Sequence, residues 1–224
     1  QNLLDAKLYN QKRLLQRLAA NRKQQCKACA VIDQLRKKLF FQNNLDQLKG
    51  IEGIAAKHYF EALAFFLPSW CNFHGRNKRP ALDPVNAVMS YSYAVIAGEI
   101  ERLIRLHALD PGFGFLHCRQ YNTSALTLDL LEPFRAGFCD ALTVDLFNHQ
   151  RLRQEHFVRD KKNGGIFITP EGKRIFFQAW EKKHLSKLKY EKKTIDWEYI
   201  WNRQVMEWLN VLENDSVPKF FKML

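Results

Sequence analysis

The sequence predicts a mainly α fold, a multi-helix domain with one small β-hairpin at about residues 164–177. Three observations point there. Apolar residues recur at helical spacing through most of the 224 residues. Helix-capping residues stand where those stretches begin. One stretch alone, GGIFITPEGKRIFF, reads as paired strands.

Residues 2–40 read as two helices. Leu3, Leu4 and Leu8, then Leu14, Leu15 and Leu18, recur at helical spacing, and Val31, Leu35 and Leu39 continue the pattern. The stretch FFQNNLDQ breaks it, and Asn43 or Asn44 can cap the next helix, roughly 45–67, which stops at Pro68. Gly50 and Gly53 lie inside that helix, at about 1 kcal/mol each against alanine. They flank Glu52 and would admit a ligand or another helix, or simply serve packing.

A polar loop over 69–82 carries HGRNKRP, and Asp83-Pro84 then starts a helix, the acid as cap and the proline in the first turn. Val85, Val88, Met89, Val95, Ile96, Ile100, Leu103 and Ile104 give this helix a broad apolar face. Asp110-Pro111-Gly112 makes a turn before FGFLH, and Thr123 or Ser124 can cap the helix that holds TLDLLEPFR and continues towards Gln150. Pro133 interrupts that helix at a cost of about 3 kcal/mol or more. Leu130, Leu131, Phe134 and Phe138 face the core, while Asp129, Glu132 and Arg135 follow another face. Helices resume at 178–188 and 196–214. The reading divides the chain into helices leading into the domain (1–44), a helical core (45–150) and a basic hairpin and helical extension (151–224).

The formal charge of +12 is unevenly placed. Residues 1–50 hold 11 Lys and Arg against 3 acids, residues 51–150 hold 8 against 10, and residues 151–224 hold 16 against 10. Two basic flanks thus enclose a mildly acidic centre. Basic flanks suit a polyanion, nucleic acid above all, and an acidic centre beside phosphate calls for a divalent cation. A solvated basic surface is the plain alternative. No apolar run approaches the 18 or so residues of a membrane span. Five scattered cysteines suit a reducing, intracellular protein without disulfides. Cys26-x-x-Cys29 has no second pair to complete a zinc site. The opening Gln1 reads as the start of a fragment or a processed chain.

Three polar groups stand in apolar neighbourhoods: Glu52, His117 and Glu132. A buried carboxylate is costly unless it is paired or binds a metal. Two carboxylates and an imidazole would make an incomplete shell for Mg²⁺ or Mn²⁺, with water and phosphate oxygens filling it. The other reading has Glu52 capping a helix, His117 as a satisfied core histidine and Glu132 paired with Arg135.

Four segments in order, LKGIEGIAAKHYF, RNKRPALDPVNAVMSYSYA, LDPGFGFLH and SALTLDLLEPFR, span residues 48–135. They resemble the consecutive signatures of the CRISPR-associated spacer integrases, the "Cas-one" family. The resemblance implies a catalytic helical domain in which Glu52, His117 and Glu132 bind one Mg²⁺ or Mn²⁺ ion, with Asp129 as a supporting acid. It implies metal-dependent DNA strand transfer, in which the 3′-hydroxyl of a short duplex attacks a phosphodiester at a CRISPR repeat, together with endonuclease activity. The implied partners are double-stranded DNA (prespacer and repeat), the small "Cas-two" scaffold protein and a second copy within a larger integration complex. The implied location is the prokaryotic cytoplasm. Family members usually begin with a β-rich domain, and nothing before Glu52 reads as strands, so that domain is expected to be absent from this chain.

Arg76, Lys78, Arg79 and Arg135 are expected at DNA phosphates. Pairing with Glu132 or Asp129 is an equal role for Arg135. The lysines at 182, 183, 187, 189, 192 and 193 suit a wet helical face. Trp70, Trp180, Trp197, Trp201 and Trp208 suit core packing better than base stacking. A kink at Pro133 would turn the helix away and leave Glu132 accessible. A related transposon integrase and a non-catalytic DNA-binding subunit are the competing readings.

Overall fold

In the computed structural model, which describes residues 1–77, 79–117, 124–191 and 193–224, the first helix is the axis of the fold. Helix α1 (Asn2–Asn21) buries Leu3, Leu4, Ala6, Leu8, Leu14 and Leu15, so it is apolar on more than one side. Its buried residues also include Asp5, Lys7, Asn10 and Gln11, so packing from several sides, and not an all-apolar surface, makes it central. Helices α2 (Lys27–Leu39) and α3 (Leu45–Ala64) pack against it.

Asn44 caps α3 by accepting from the Asp46 backbone N–H at 2.7 Å. Helix α3 buries only Ala55, Tyr59 and Leu63 and otherwise lies at the surface. A Cβ added at Gly50 or Gly53 would meet open space, so no close neighbour requires either glycine. Helix α4 (Pro84–Leu106) begins as expected, with Asp83 accepting from the Asn86 N–H at 2.8 Å and Pro84 in its first turn.

Helix α5 (Ala125–Phe134) packs on both α1 and α4. Of the two cap residues expected for it, Thr123 lies outside the described residues. Ser124 stands at the N-cap, but its hydroxyl donates to Glu101 Oε2 at 2.8 Å instead of capping the helix. Pro133 supplies no N–H to the preceding turn, and the chain widens after it into a π turn, Arg135–Asp140, before α6 (Ala141–Asn148). The Pro133 carbonyl accepts from Asn10 Nδ2 at 2.7 Å. Glu132 stays 2 % exposed, so the widened turn absorbs the proline without opening a path to this carboxylate. That overturns the expected exposure.

A small hairpin is present with different limits from those expected. Strand β1 (Phe157–Arg159) pairs antiparallel with β2 (Ile166–Ile168), with Val158 opposite Phe167. Residues from Pro170 on, expected as the second strand, form helix α7 (Pro170–His184). Thr169 caps it by accepting from the Gly172 N–H at 3.1 Å, with Pro170 and Glu171 in the first turn. A threonine cap before proline and an acid is a helix start, and it outweighs the β-branched and aromatic content of the segment. A second hairpin, β3 (Leu188–Tyr190) with β4 (Lys193–Ile195), precedes helix α8 (Trp197–Asn214). Among the described residues these two hairpins are the only sheets.

The last ten residues return to α1. Phe220, Phe221 and Met223 are buried. Asn10 Nδ2 donates to the Phe221 carbonyl at 2.8 Å, and Asn10 Oδ1 accepts from the Met223 N–H at 2.8 Å. Trp197 and Trp201 are core residues, and Trp208 stacks on Phe115 with centroids 4.2 Å apart. Lys183, expected on a wet face, instead places its ammonium over the rings of Phe138 (5.4 Å) and Trp197 (5.8 Å). Burial lowers its pKa to about 8. No helix among the described residues is long and apolar enough to cross a membrane.

Candidate functional site

Asp129 organises the loop that carries His117. It is fully buried, one turn before Glu132 on α5, and its Oδ2 accepts from the N–H groups of Phe115 (2.6 Å) and Leu116 (2.9 Å). Its Oδ1 accepts from the His117 N–H at 3.0 Å and lies 2.5 Å from His117 Nδ1. A carboxylate that meets three backbone donors and an imidazole is fully satisfied, which is what permits its burial. By engaging Nδ1 it also fixes the ring, and His117 Nε2 is left 4.0 Å from Glu132 Oε1.

Glu132 lies between two cations. Arg135 reaches its Oε1 at 3.1 Å, and Lys7 Nζ, from α1, lies 2.7 Å from its Oε2. That second contact is ionic without a well-directed hydrogen bond, so Oε2 is a buried oxygen with unused acceptor capacity. Burial alone would raise the Glu132 pKa, but Arg135 and Lys7 outweigh it and bring it down to about 2. The same ammonium is paired with Glu52 of α3. Burial opposes the charge on Lys7, yet Glu132 and Glu52 hold its pKa above the usual lysine range.

The expected trio is thus only partly assembled. His117 and Glu132 are neighbours, and Glu52 is tied to Glu132 through Lys7. Among the described residues no three carboxylates, imidazoles or thiols stand together as a ready metal site, Cys26 and Cys29 included. The donor set nonetheless fits a hard divalent cation. It offers two carboxylates and an imidazole held by a buried acid, and Glu132 Oε2 faces a cation it does not fully engage.

Sequence reasoning missed Lys7. Its one local signal is its place in the apolar stripe between Leu4 and Leu8, where a lysine either finds a partner or carries its charge out to water. A second buried acid was also missed. Asp140, in the π turn, accepts from the hydroxyls of Tyr59 (2.7 Å) and Tyr93 (2.5 Å). Burial raises its pKa to about 6, against the lowering pull of those hydroxyls and of Arg135 and Arg76. The Tyr93 ring lies under both guanidiniums, at 4.8 Å from Arg135 and 5.3 Å from Arg76.

Lys7 and Arg135 open onto a cleft of about 1150 Å³, whose wall also carries Lys57, Arg76, Arg79 and Lys173. Of the cations expected at phosphates, Arg79 is exposed on this wall. Arg76 is committed to Asn77 O (2.5 Å), Asn86 Oδ1 (2.7 Å) and Ser90 Oγ (2.9 Å). Arg135 is committed to Glu132 and Tyr93, as its alternative role required. Lys78 lies outside the described residues.

The same helical arrangement is found in solved structures. It superposes on a casposase bound to integration product with a TM-score of 0.89, at 24% identity, over 98% of this chain and 61% of that one. It also superposes on a chain of a partial Cas6-RT-Cas1–Cas2 complex with a TM-score of 0.86, at 23% identity, over 100% of this chain and 67% of that one. The chain belongs to the CRISPR associated protein Cas1 family, whose profile matches residues 1–182. A CRISPR-associated endonuclease Cas1 of Thermus thermophilus is 37% identical over 143 residues, which cover 64% of this chain and 44% of the relative. The chain therefore matches less than half the length of that curated relative.

Proposed function

We propose that this chain is the catalytic part of a metal-dependent DNA integrase and endonuclease, which inserts new spacers into a CRISPR array. The observation that carries the proposal is the buried Glu132 carboxylate, set beside an imidazole and a second carboxylate where a basic cleft opens, in a chain of the Cas1 family. Glu52, His117 and Glu132 would hold one Mg²⁺ or Mn²⁺ ion. Bound there, that ion supplies Lewis-acid stabilisation of charge developing on a phosphodiester oxygen.

The chain's own groups do the positioning. Asp129 holds the 115–117 backbone and the His117 ring, so the imidazole presents Nε2 towards Glu132. Arg135 keeps Glu132 ionised and oriented. Arg79, Lys57 and Lys173 line the approach with positive charge suited to duplex phosphates. The nucleophile comes from the DNA, as a 3′-hydroxyl, and the protein's task is alignment of that hydroxyl with the target phosphate.

Double-stranded DNA, a small Cas2 scaffold protein and a second copy of the catalytic chain are the proposed partners, in the prokaryotic cytoplasm. The solved Cas1–Cas2 complex of the same fold supports the scaffold. A transposon integrase of casposase type shares the fold, and dependence on the scaffold separates the two readings. The test is strand transfer of a labelled duplex into a repeat-bearing plasmid by the intact protein with its scaffold partner, with Mn²⁺ or Mg²⁺. Joining at repeat borders that disappears in His117→Ala is the expected result. Joining by that variant as efficient as by wild type would remove His117 from the site.

A further inference from the structure

Among the described residues, Lys7 is the buried ammonium that touches two of the three carboxylate and imidazole groups assigned to the metal. We infer that Lys7 is a built-in placeholder cation, which holds Glu52 and Glu132 together without a metal and is exchanged for the divalent ion when it binds. The inference rests on the metal-site reading above and says what that site does before it is loaded.

The geometry is specific. Lys7 projects from α1 to Glu132 Oε2 on α5 at 2.7 Å and to Glu52 Oε1 on α3, so one charge spans two helices. With Arg135 on Glu132 Oε1, two negative and two positive charges balance. A divalent ion taken up by the same carboxylates would stand beside an ammonium within hydrogen-bonding distance of both. Like charges that close cannot share the site, so the ammonium must leave. It has somewhere to go. Lys7 also lines the basic cleft, and a swing outward adds its charge to the wall formed by Lys57, Arg76, Arg79 and Lys173. Metal loading would then raise the positive charge of the surface that meets DNA. By linkage DNA would favour the loaded state in return.

A permanent structural role for Lys7 predicts the opposite response to its removal. If the ammonium only braces the two carboxylates, its loss splays them and weakens metal binding. If it competes, its loss strengthens binding, because part of the metal affinity no longer goes into displacing it.

The experiment is Mn²⁺ titration of the intact protein, followed by electron paramagnetic resonance, for wild type, Lys7→Met, Lys7→Gln and Glu132→Gln. Melting temperatures in chelator and in Mn²⁺ accompany it. Both Lys7 variants are expected to bind Mn²⁺ about tenfold more tightly than wild type. They should melt lower in chelator and regain more on adding metal. A wild-type measurement needs no variant: acetylation of Lys7, read by mass spectrometry, should be slow in chelator and rise with Mg²⁺, while that of exposed Lys57 stays constant. Weaker Mn²⁺ binding by both variants, or Lys7 labelling unmoved by a metal that does bind, would overturn the placeholder role and leave the metal site standing. Absence of saturable Mn²⁺ binding in wild type, or binding that Glu132→Gln leaves intact, would overturn the metal site itself.

Discussion

Gly114 passes so close to Asp129 that a Cβ there would lie 2.8 Å from the carboxylate Oδ2, and equally close to the Ala125 backbone. The glycine lets the 115–117 backbone turn its N–H groups into that carboxylate. Gly114→Ala should therefore lose about 1–3 kcal/mol of stability in urea denaturation, since a backbone neighbour cannot swing away as a side-chain tip can. Asp129→Ala should cost about 3–5 kcal/mol, because it leaves buried donors without an acceptor. A Gly114→Ala protein of wild-type stability would show that the loop can relax around the added carbon.

Acid should weaken the ion-pair cluster in a definable window. The Glu132 pKa is depressed in the fold, so its stabilising contribution is complete above the unfolded value near 4.5 and is lost as pH falls towards about 2. That contribution is about 3 kcal/mol. Urea midpoints for wild type and Glu132→Gln in chelator should differ by a steady amount above pH 5 and draw together as pH falls to 2 and below. A difference that stays constant as pH falls would count against the pairing with Lys7 and Arg135.

Asp140 has the opposite sign. Its pKa is raised to about 6, so the native state holds the proton more tightly than the unfolded chain, and stability falls as pH rises from about 3.8 through 6. Asp140→Asn keeps an acceptor for one tyrosine hydroxyl, offers an amide N–H to the oxygen of the other, and removes the ionisation. The variant should gain on wild type by up to about 3 kcal/mol between pH 4 and pH 8, measured by chemical denaturation. A gain that does not depend on pH would exclude a buried ionisation at this position.

Arg79 and Arg76 should separate cleanly. Arg79 is exposed on the cleft wall, so Arg79→Ala should weaken duplex binding for all sequences alike and lower the slope against log salt by about 1. It should leave thermal stability near wild type. Arg76→Ala should instead lower the melting temperature, because it strips partners from Asn86 Oδ1, Ser90 Oγ and the Asn77 carbonyl. Equal effects of the two variants on DNA binding, with no change in melting, would mean that Arg76 faces phosphate directly.

The helices were legible where the apolar period and the caps agreed. Asn44, Asp83 and Pro84 stand where the sequence placed them, and Leu130, Leu131, Phe134 and Phe138 are core residues. The hairpin is present but its limits were misread, because Thr169-Pro170-Glu171 is a helix start embedded in strand-like residues, and capping chemistry decided the matter. Of the site, the acids and the histidine were visible as residue types. Lys7 was not, because a lysine on an apolar stripe ordinarily carries its charge out to water. Its partners lie 45 residues away at Glu52 and further still at Glu132, separations that local spacing does not reveal.

The seating of the C-terminal segment on α1 sets an order of events for a chain leaving the ribosome. Asn10 waits for Phe221, made 211 residues later, and Asp5 for Lys222, made 217 later. Until then the central helix has polar groups without their final partners and apolar faces without cover. The element the others are built around is thus completed only once residues 220–223 are made, and contacts so distant in sequence slow folding. Early release or truncation of the last few residues should expose α1, a liability for aggregation during synthesis rather than a loss of one surface contact.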